Sequence, residues 1–201
     1  MRAILSFAAI LASAALLVAG PPTGAETRAS LAGQFLVASP SMGDPRFDRA
    51  VILMMRHGAD GALGIVINKP LGERPLANLL EIFGEKGSNA AGQVRIFAGG
   101  PVQRELGFVV HTADYRRSGT LDVDGRVAMT ASREILRDIA ANQGPKKSLI
   151  AFGYAGWAPG QLEGEMERRV WAVAPADETL IFDQDREKVW ESAFSRRIQD
   201  L

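Results

Sequence analysis

The sequence predicts a single α+β domain. Short apolar runs rich in Val and Ile, bounded by turn residues, alternate along the chain with four segments of helical periodicity. Two pairs of these runs are joined by tight turn sequences, Gly58-Ala59-Asp60-Gly61 and Asp124-Gly125, which favour antiparallel hairpins. No repeat, low-complexity tract or linker interrupts the chain after residue 25. We therefore expect one domain over residues 26–201.

Ten runs of apolar and β-branched residues predict strands. They cover residues 34–39, 50–55, 62–68, 94–97, 108–111, 120–123, 126–129, 148–154, 170–173 and 179–182. Each run is short enough for a buried strand, and turn residues separate it from the next one.

Four segments predict helices. Leu76, Leu79, Leu80 and Phe83 follow Pro75 at helical spacing, and Gly84 ends that pattern. Similar patterns cover 132–142, 159–169 and 185–201. In 159–169 the acidic residues come early and the basic residues late, which complements the helix dipole.

The first 25 residues have the layout of a secretory signal peptide. Arg2 precedes an apolar run over residues 3–19, and a Gly20-Pro21-Pro22 break leads to small residues ending at Ala25. We expect cleavage after Ala25, with Ala29 as second choice, and a soluble periplasmic product. The run is also at the lower edge of the roughly 17–25 residues that span a bilayer. A retained N-terminal membrane anchor, or a cytoplasmic protein with a misread start, is therefore the alternative.

Composition excludes several kinds of chemistry. The chain has no Cys, which removes disulfides, thiol nucleophiles and Cys-ligated zinc. Only two His residues are present, and Lys plus Arg equals Asp plus Glu at 23 each. Because there is no overall basic field, binding to nucleic acid is disfavoured.

Two glycine-containing segments are candidate binding loops. The first, 99–103, contributes Gly99, Gly100, Pro101 and Gln103; the second, 153–163, contributes Tyr154, Gly156, Trp157, Gly160, Gln161 and Glu163. Each follows a predicted strand, so its backbone N–H groups are available to line a groove that binds an anion. The alternative is that the glycines serve only tight turns and close packing. Neither segment contains a phosphate-binding signature.

His57, His111 and Asn68 are the candidates for acid–base chemistry. Each lies near the end of a predicted strand, and a His with an Asn and a Glu can exchange protons near neutral pH. The alternative is a structural, hydrogen-bonding role for both histidines. The chain has no Gly-x-Ser-x-Gly or His-Glu-x-x-His motif. We therefore assign no catalytic residue, metal ligand or cofactor.

Ordered sequence blocks resemble the bacterial YqgE/AlgH family. The blocks are Gly33-Gln34-Phe35-Leu36-Val37-Ala38-Ser39-Pro40, Asp44-Pro45-Arg46-Phe47, Gly64-Ile65-Val66-Ile67-Asn68-Lys69-Pro70, Gly99-Gly100-Pro101-Val102-Gln103, Gly107-Phe108-Val109-Val110-His111, Gly153-Tyr154-Ala155-Gly156-Trp157-Ala158-Pro159-Gly160-Gln161-Leu162-Glu163 and, after Trp171, Pro175-Ala176-Asp177 and Ile181-Phe182-Asp183. The resemblance implies a compact domain with a branched, partly barrel-like, mostly antiparallel sheet surrounded by helices. It implies no reaction, and one branch of the family is named a transcriptional regulator.

The chain departs from the family pattern in two respects. The family is typically cytoplasmic, whereas this chain begins with an export-like segment. Ser39 and Ala131 also stand at positions where the family more often has other residues.

The sequence leaves three hypotheses for the function. The first is a non-catalytic binding or regulatory protein that takes an unidentified small ligand or protein after export. The second is a hydrolase with His57 or His111 as general base, and the third is a transcriptional regulator.

Overall fold

A computed structural model describes residues 30–82 and 90–198 of the chain, and these residues form ten strands and four α-helices. The strands are β1 Gln34–Ala38, β2 Val51–Gly58, β3 Gly61–Val66, β4 Pro70–Pro75, β5 Gln93–Ala98, β6 Val102–Thr112, β7 Thr120–Asp122, β8 Val127–Thr130, β9 Ser148–Trp157 and β10 Trp171–Pro175. The helices are α1 Leu76–Ile82, α2 Glu134–Ala140, α3 Gln161–Glu167 and α4 Arg186–Ser195.

Strand β9 is the branch point of the sheet. The main path runs β10-β1-β2-β3-β9-β6-β8-β7 through antiparallel pairs. The first half of β9 also pairs in parallel with β5, which carries β4 on its far side. The sheet curls into a half-barrel with helices around it. The predicted α+β class and the branched, mostly antiparallel sheet are therefore confirmed.

Apolar side chains fill three regions around the curled sheet. The largest core is the interior of the half-barrel, where alternate residues of most strands meet η2 (Thr179–Asp183) and α4. Helix α3 covers the outer face of β1, β2, β3 and β10 through Leu162 and Met166. Helices α1 and α2 cover the outer face of β5, β6 and β9. Both faces of the central strands are thus buried, which explains why they appear in the sequence as continuous apolar runs.

The connection from β5 to β6 crosses directly over β9. Gly99 N–H donates to the Phe152 carbonyl at 2.7 Å, and the Gly99 carbonyl accepts from Val66 N–H at 2.8 Å. A Cβ on Gly99 would lie 2.3 Å from the Gly153 carbonyl oxygen, and one on Gly100 would lie 2.0 Å from the Tyr154 carbonyl carbon. Since real Cβ atoms do not approach so closely, glycine is required where the two backbones meet.

Most predicted elements are confirmed, and two strands, β4 and β9, differ from the prediction. The hairpin across Gly58-Ala59-Asp60-Gly61 is present, with β2 and β3 antiparallel. Strand β4 was not predicted because it is exposed and has proline at both ends. Strand β9 continues through the glycine-rich segment to Trp157 instead of ending at Tyr154. The proposed end of the first helix, Phe83 with Gly84, lies outside the described residues.

Near the C-terminus one predicted strand is wrong, and the last predicted helix is present but shorter. Residues 179–182 form part of η2, a π-helical turn, because the Asp177 carboxylate accepts the N–H groups of Thr179 and Leu180 and so turns the chain. The last helix covers Arg186–Ser195 and not 185–201. Asp185 is its N-cap, and Ile198 N–H donates to the Val173 carbonyl, so the chain has left the helix there.

The predicted export segment, residues 1–25, and the residues up to 29 lie outside the described part of the chain. Among the residues that are described, no helix is long and apolar enough to cross a membrane.

The glycine crossing predicts a large cost for one methyl group. Gly153 has a φ of +74°, and its Cβ would lie 2.5 Å from the Gly100 carbonyl oxygen. Gly153→Ala should lower the free energy of unfolding by about 3 kcal/mol or more. Gly119→Ala is the matched control, because Gly119 has a φ of +82° with open space around it. In that variant the free energy of unfolding should fall by only about 1–2 kcal/mol. Equal losses in urea-induced unfolding would show that the crossing tolerates a side chain.

Candidate functional site

His57 and Glu163, both predicted for a site, are in direct contact. The His57 Nε2 and Glu163 Oε1 atoms are 2.9 Å apart. His57 Nδ1 accepts a hydrogen bond from Leu31 N–H at 3.1 Å, so the ring proton is on Nε2 and is donated to the carboxylate. The His57 side chain is only 7% exposed. Through these two hydrogen bonds, His57 connects β2 to Leu31 and to α3.

A second carboxylate on α3 holds the tryptophans together. Glu165 Oε2 accepts from the indole N–H of Trp157 at 2.9 Å and of Trp171 at 2.8 Å, and Oε1 accepts from the Gln161 amide. Although burial raises the pKa of Glu165, these donors outweigh it and lower the pKa overall. The two indole rings pack edge to face with centroids 6.0 Å apart. The indole N–H of Trp157 and the amide of Gln161 are therefore used in hydrogen bonds within the protein.

The two predicted binding loops contact each other through their backbones. Gly99 and Gly100 lie against Gly153 and Tyr154, with Pro101 following, and Val102 pairs with Tyr154. Beyond that pair, residues 103–106 protrude from β6 before Gly107 pairs with Phe152, and Gln103 adopts a φ of +47°. The outward part of the predicted groove consists of exposed residues: Gln103, Gly156, Gly160 and Gln161.

The structure places His111 far from His57. His111 is opposite Ser148 at the start of β9, whereas the β3 partner of His57, Ala62, is opposite Trp157 at its end. Ser148 and Trp157 are about 30 Å apart along β9. His111 is fully buried; its Nδ1–H donates to the Thr112 carbonyl at 2.9 Å, and Nε2 accepts from the Thr130 hydroxyl at 2.9 Å. Burial lowers its pKa, so the ring is neutral.

Asn68 also lies away from His57. Its Oδ1 accepts from Val51 N–H at 2.9 Å, and its Nδ2 donates to the Arg49 carbonyl at 2.8 Å. Val51 begins β2, and His57 is near the end of that strand, about 20 Å further along. Asn68 therefore holds the backbone of Arg49, which has a φ of +49°. The structure brings Glu163 to His57 but brings neither Asn68 nor His111 there.

An apolar pocket that the sequence did not reveal lies between β6 and α2. We call it the α2 pocket; it has a volume of about 600 Å³, within the usual range for small-molecule sites. Apolar side chains form most of it, and its polar residues are Thr130 at the end of β8 and Ser132, Arg133 and Glu134 at and before the start of α2. It is lined by Ile82, Leu106, Gly107, Phe108, Val109, Thr130, Ala131, Ser132, Arg133, Glu134, Leu136 and Ile150.

Two exposed apolar side chains border the α2 pocket. Ile82 is 72% exposed and Leu106 is 40% exposed. At the polar end, the Ser132 hydroxyl donates to Glu134, and this hydrogen bond lowers the pKa of the Glu134 carboxyl. The sequence patterns around Phe108 and Leu136 indicated only core positions. These patterns did not show that a pocket lies beside the two residues.

Within residues 30–82 and 90–198, no group of three or more His, Asp or Glu side chains is arranged to hold a metal ion.

This architecture, a branched half-barrel sheet with helices on its outer faces, places the chain among single-domain α+β proteins. The family model described as AlgH-like (DUF179) matches residues 35–201. The chain therefore belongs to the YqgE/AlgH family, as the sequence blocks indicated.

Relatives and a solved structure agree with this assignment. A UPF0301 protein of Methylococcus capsulatus is 43% identical over 173 residues, which cover 86% of this chain and 94% of the relative. One from Rhodospirillum rubrum is 44% identical, covering 83% of this chain and 86% of the relative. The solution structure of AlgH from Pseudomonas aeruginosa, also named UPF0301, has a TM-score of 0.74 at 39% identity, covering 88% of this chain and 90% of AlgH.

A more distant structure shows the same fold. It is a protein of Corynebacterium diphtheriae, with a TM-score of 0.63 at 24% identity, and the match covers 84% of this chain and 87% of that protein.

The buried His111 predicts a loss of stability in mild acid. Its pKa is lowered in the folded protein, whereas the unfolded chain takes up a proton near pH 6.5. As the pH falls below about 6.5, the free energy of unfolding should decrease by at most about 1.4 kcal/mol per pH unit for this group. We therefore expect the free energy of unfolding, measured with urea between pH 7.5 and 5.5, to depend less steeply on pH in His111→Gln than in the wild type. The control His57→Gln keeps His111, so it should retain the contribution of His111 to the pH dependence. An unchanged slope in His111→Gln would contradict a neutral, buried ring.

Proposed function

We propose that this protein is a non-catalytic binding protein that acts after export, and that it binds a small amphipathic molecule in the α2 pocket. The observation that carries the proposal is the pocket itself. Its apolar walls suit the apolar body of a ligand, and its polar end, formed by Ser132, Arg133 and Glu134, suits a polar head group. This site is distinct from the groove predicted at 99–103 and 153–163.

The engagement of both histidines favours binding over hydrolysis. Use of His57 as a general base would require its Nε2 proton to be lost or its bond from Leu31 N–H to be broken. His111 is enclosed, and its accepting nitrogen already receives the Thr130 hydroxyl. Each histidine is thus better suited to holding the fold than to accepting a substrate proton.

The position of Leu31 supports the export proposal. Leu31 is buried, and its N–H is bound by His57. Both expected cleavage positions, after Ala25 and after Ala29, precede Leu31. Removal of the leader at either position would therefore keep Leu31 and its hydrogen bond to His57.

The pocket proposal is tested with 8-anilinonaphthalene-1-sulfonate, which has an apolar body and a charged end. We expect saturable fluorescence enhancement with one site per chain. The double variant Ile82→Gln, Leu106→Gln should bind the dye at least tenfold more weakly, because both side chains border the pocket. Leu71→Gln is the matched control, since Leu71 is 56% exposed and does not line the pocket. Equal affinity of wild type and the double variant would refute the site.

The export proposal is tested by fractionation of the native host followed by intact-mass analysis. We expect a chain that starts at Glu26 or Ser30 in the soluble periplasmic fraction, with marker proteins for each compartment as controls. A full-length chain in the cytoplasm or membrane fraction would contradict the proposal.

A further inference from the structure

His111 lies directly behind the wall of the α2 pocket. It projects from the same face of β6 as Val109, two residues earlier, which lines the pocket. The His111 Nε2 atom is 2.9 Å from the hydroxyl oxygen of Thr130, which also lines the pocket. His111 itself is fully buried. A single hydrogen bond therefore connects a titratable ring to the wall of the cavity.

A second set of contacts joins His111 to helix α2. The imidazole ring packs edge to face against Tyr115, with centroids 5.4 Å apart. The Tyr115 hydroxyl donates to Asp138 of α2 at 2.6 Å, and Arg117 forms a salt bridge with the same carboxylate. Asp138 lies two residues after Leu136, which lines the pocket. His111 is thus connected to β8 and to α2, the two elements on either side of the polar end of the pocket.

The threonine hydroxyls beside His111 are oriented by the neutral ring. Because Nδ1–H donates to the Thr112 carbonyl, Nε2 accepts the hydroxyl proton of Thr130. The Thr130 oxygen then accepts from the Thr120 hydroxyl, 2.7 Å away. A charged ring carries a proton on Nε2 as well, so it would donate to Thr130, and both hydroxyls would have to reverse. Charging His111 therefore changes the direction of the Thr130 hydroxyl in the pocket wall.

Burial keeps the His111 ring neutral near pH 7. The titratable and charged groups next to it come from the connection after β6 and from α2, and they are Asp114, Tyr115, Arg117 and Asp138. On the paired strands β8 and β9, Ala128 and Ser148 lie opposite His111, and neither titrates. Burial lowers the pKa of His111, and the hydrogen bond to Thr112 and the charge of Asp114 oppose this only in part.

Given the binding function proposed for the α2 pocket, on which this step rests, we propose that protonation of His111 releases an uncharged ligand from the pocket in mild acid. An open pocket of this size admits water, which partly solvates a charge behind the wall. An apolar ligand excludes that water and so raises the cost of charging His111. Because linkage is reciprocal, protonation of His111 weakens ligand binding by the same factor.

The test uses the whole protein and N-phenyl-1-naphthylamine, an uncharged apolar dye whose fluorescence rises on binding. In the wild type the Kd of the dye should be about threefold or more higher at pH 5.0 than at pH 7.5, within the limit of about tenfold per pH unit for one proton. In His111→Gln the Kd should be the same at both pH values. His57→Gln is the matched control, because it removes the only other histidine and should follow the wild type. Glu134 in the pocket has a lowered pKa and stays ionised at both pH values.

A second measurement does not depend on the folding of a variant. In the wild type, the NMR signals of the His111 ring should titrate at a lower pH when the dye saturates the pocket. If the dye does not bind at pH 7.5, the proposed binding function is refuted, and the role of His111 with it. If the dye binds equally well at both pH values, or if His111→Gln keeps the pH dependence of the wild type, only the role of His111 is overturned.

Discussion

The close crossing of two backbones at Gly99, Gly100 and Gly153 is the constraint on which the rest of the fold depends. At this point β9 passes between partners on both sheet branches, and the β5–β6 connection passes over it with no room for a Cβ. The crossing lets β5 and β6 flank the same half of β9, one parallel and one antiparallel. It thereby curls the sheet around the interior core and leaves separate outer faces for α3 and for α1 with α2.

The same architecture explains where polar groups are satisfied and where the surface stays open. His57, Glu163 and Glu165 connect α3 to the outer face of one branch, and each uses its polar atoms within the protein. On the other branch, β6 protrudes at residues 103–106, next to the apolar walls of the α2 pocket. Hydrogen bonds thus connect α3 to one outer face, while the other outer face has an open pocket.

Much of the fold was predictable from local patterns, because short apolar runs and turn residues report directly on buried strands and hairpins. The hairpin through Gly58 and Gly61 is one example. Strand β4 was not predictable in this way, since its residues are exposed and its pairing with β5 depends on long-range contact. The candidate site was less predictable. The sequence suggested His57 and Glu163 separately, but it did not show that they pair, or that Asn68 binds the start of β2.

By itself the sequence determined the family, the α+β class and the lack of thiol chemistry, because each depends on residue identity or on spacing along the chain. Only the tertiary structure decided what individual side chains do. Gly153 is a crossing point, His111 is a neutral buried ring, and Arg186 is a buried cation that donates to the Gln184 and Ile181 carbonyls. The physical reason is that burial, charge and close approach depend on residues far apart in sequence, which a linear pattern does not bring together.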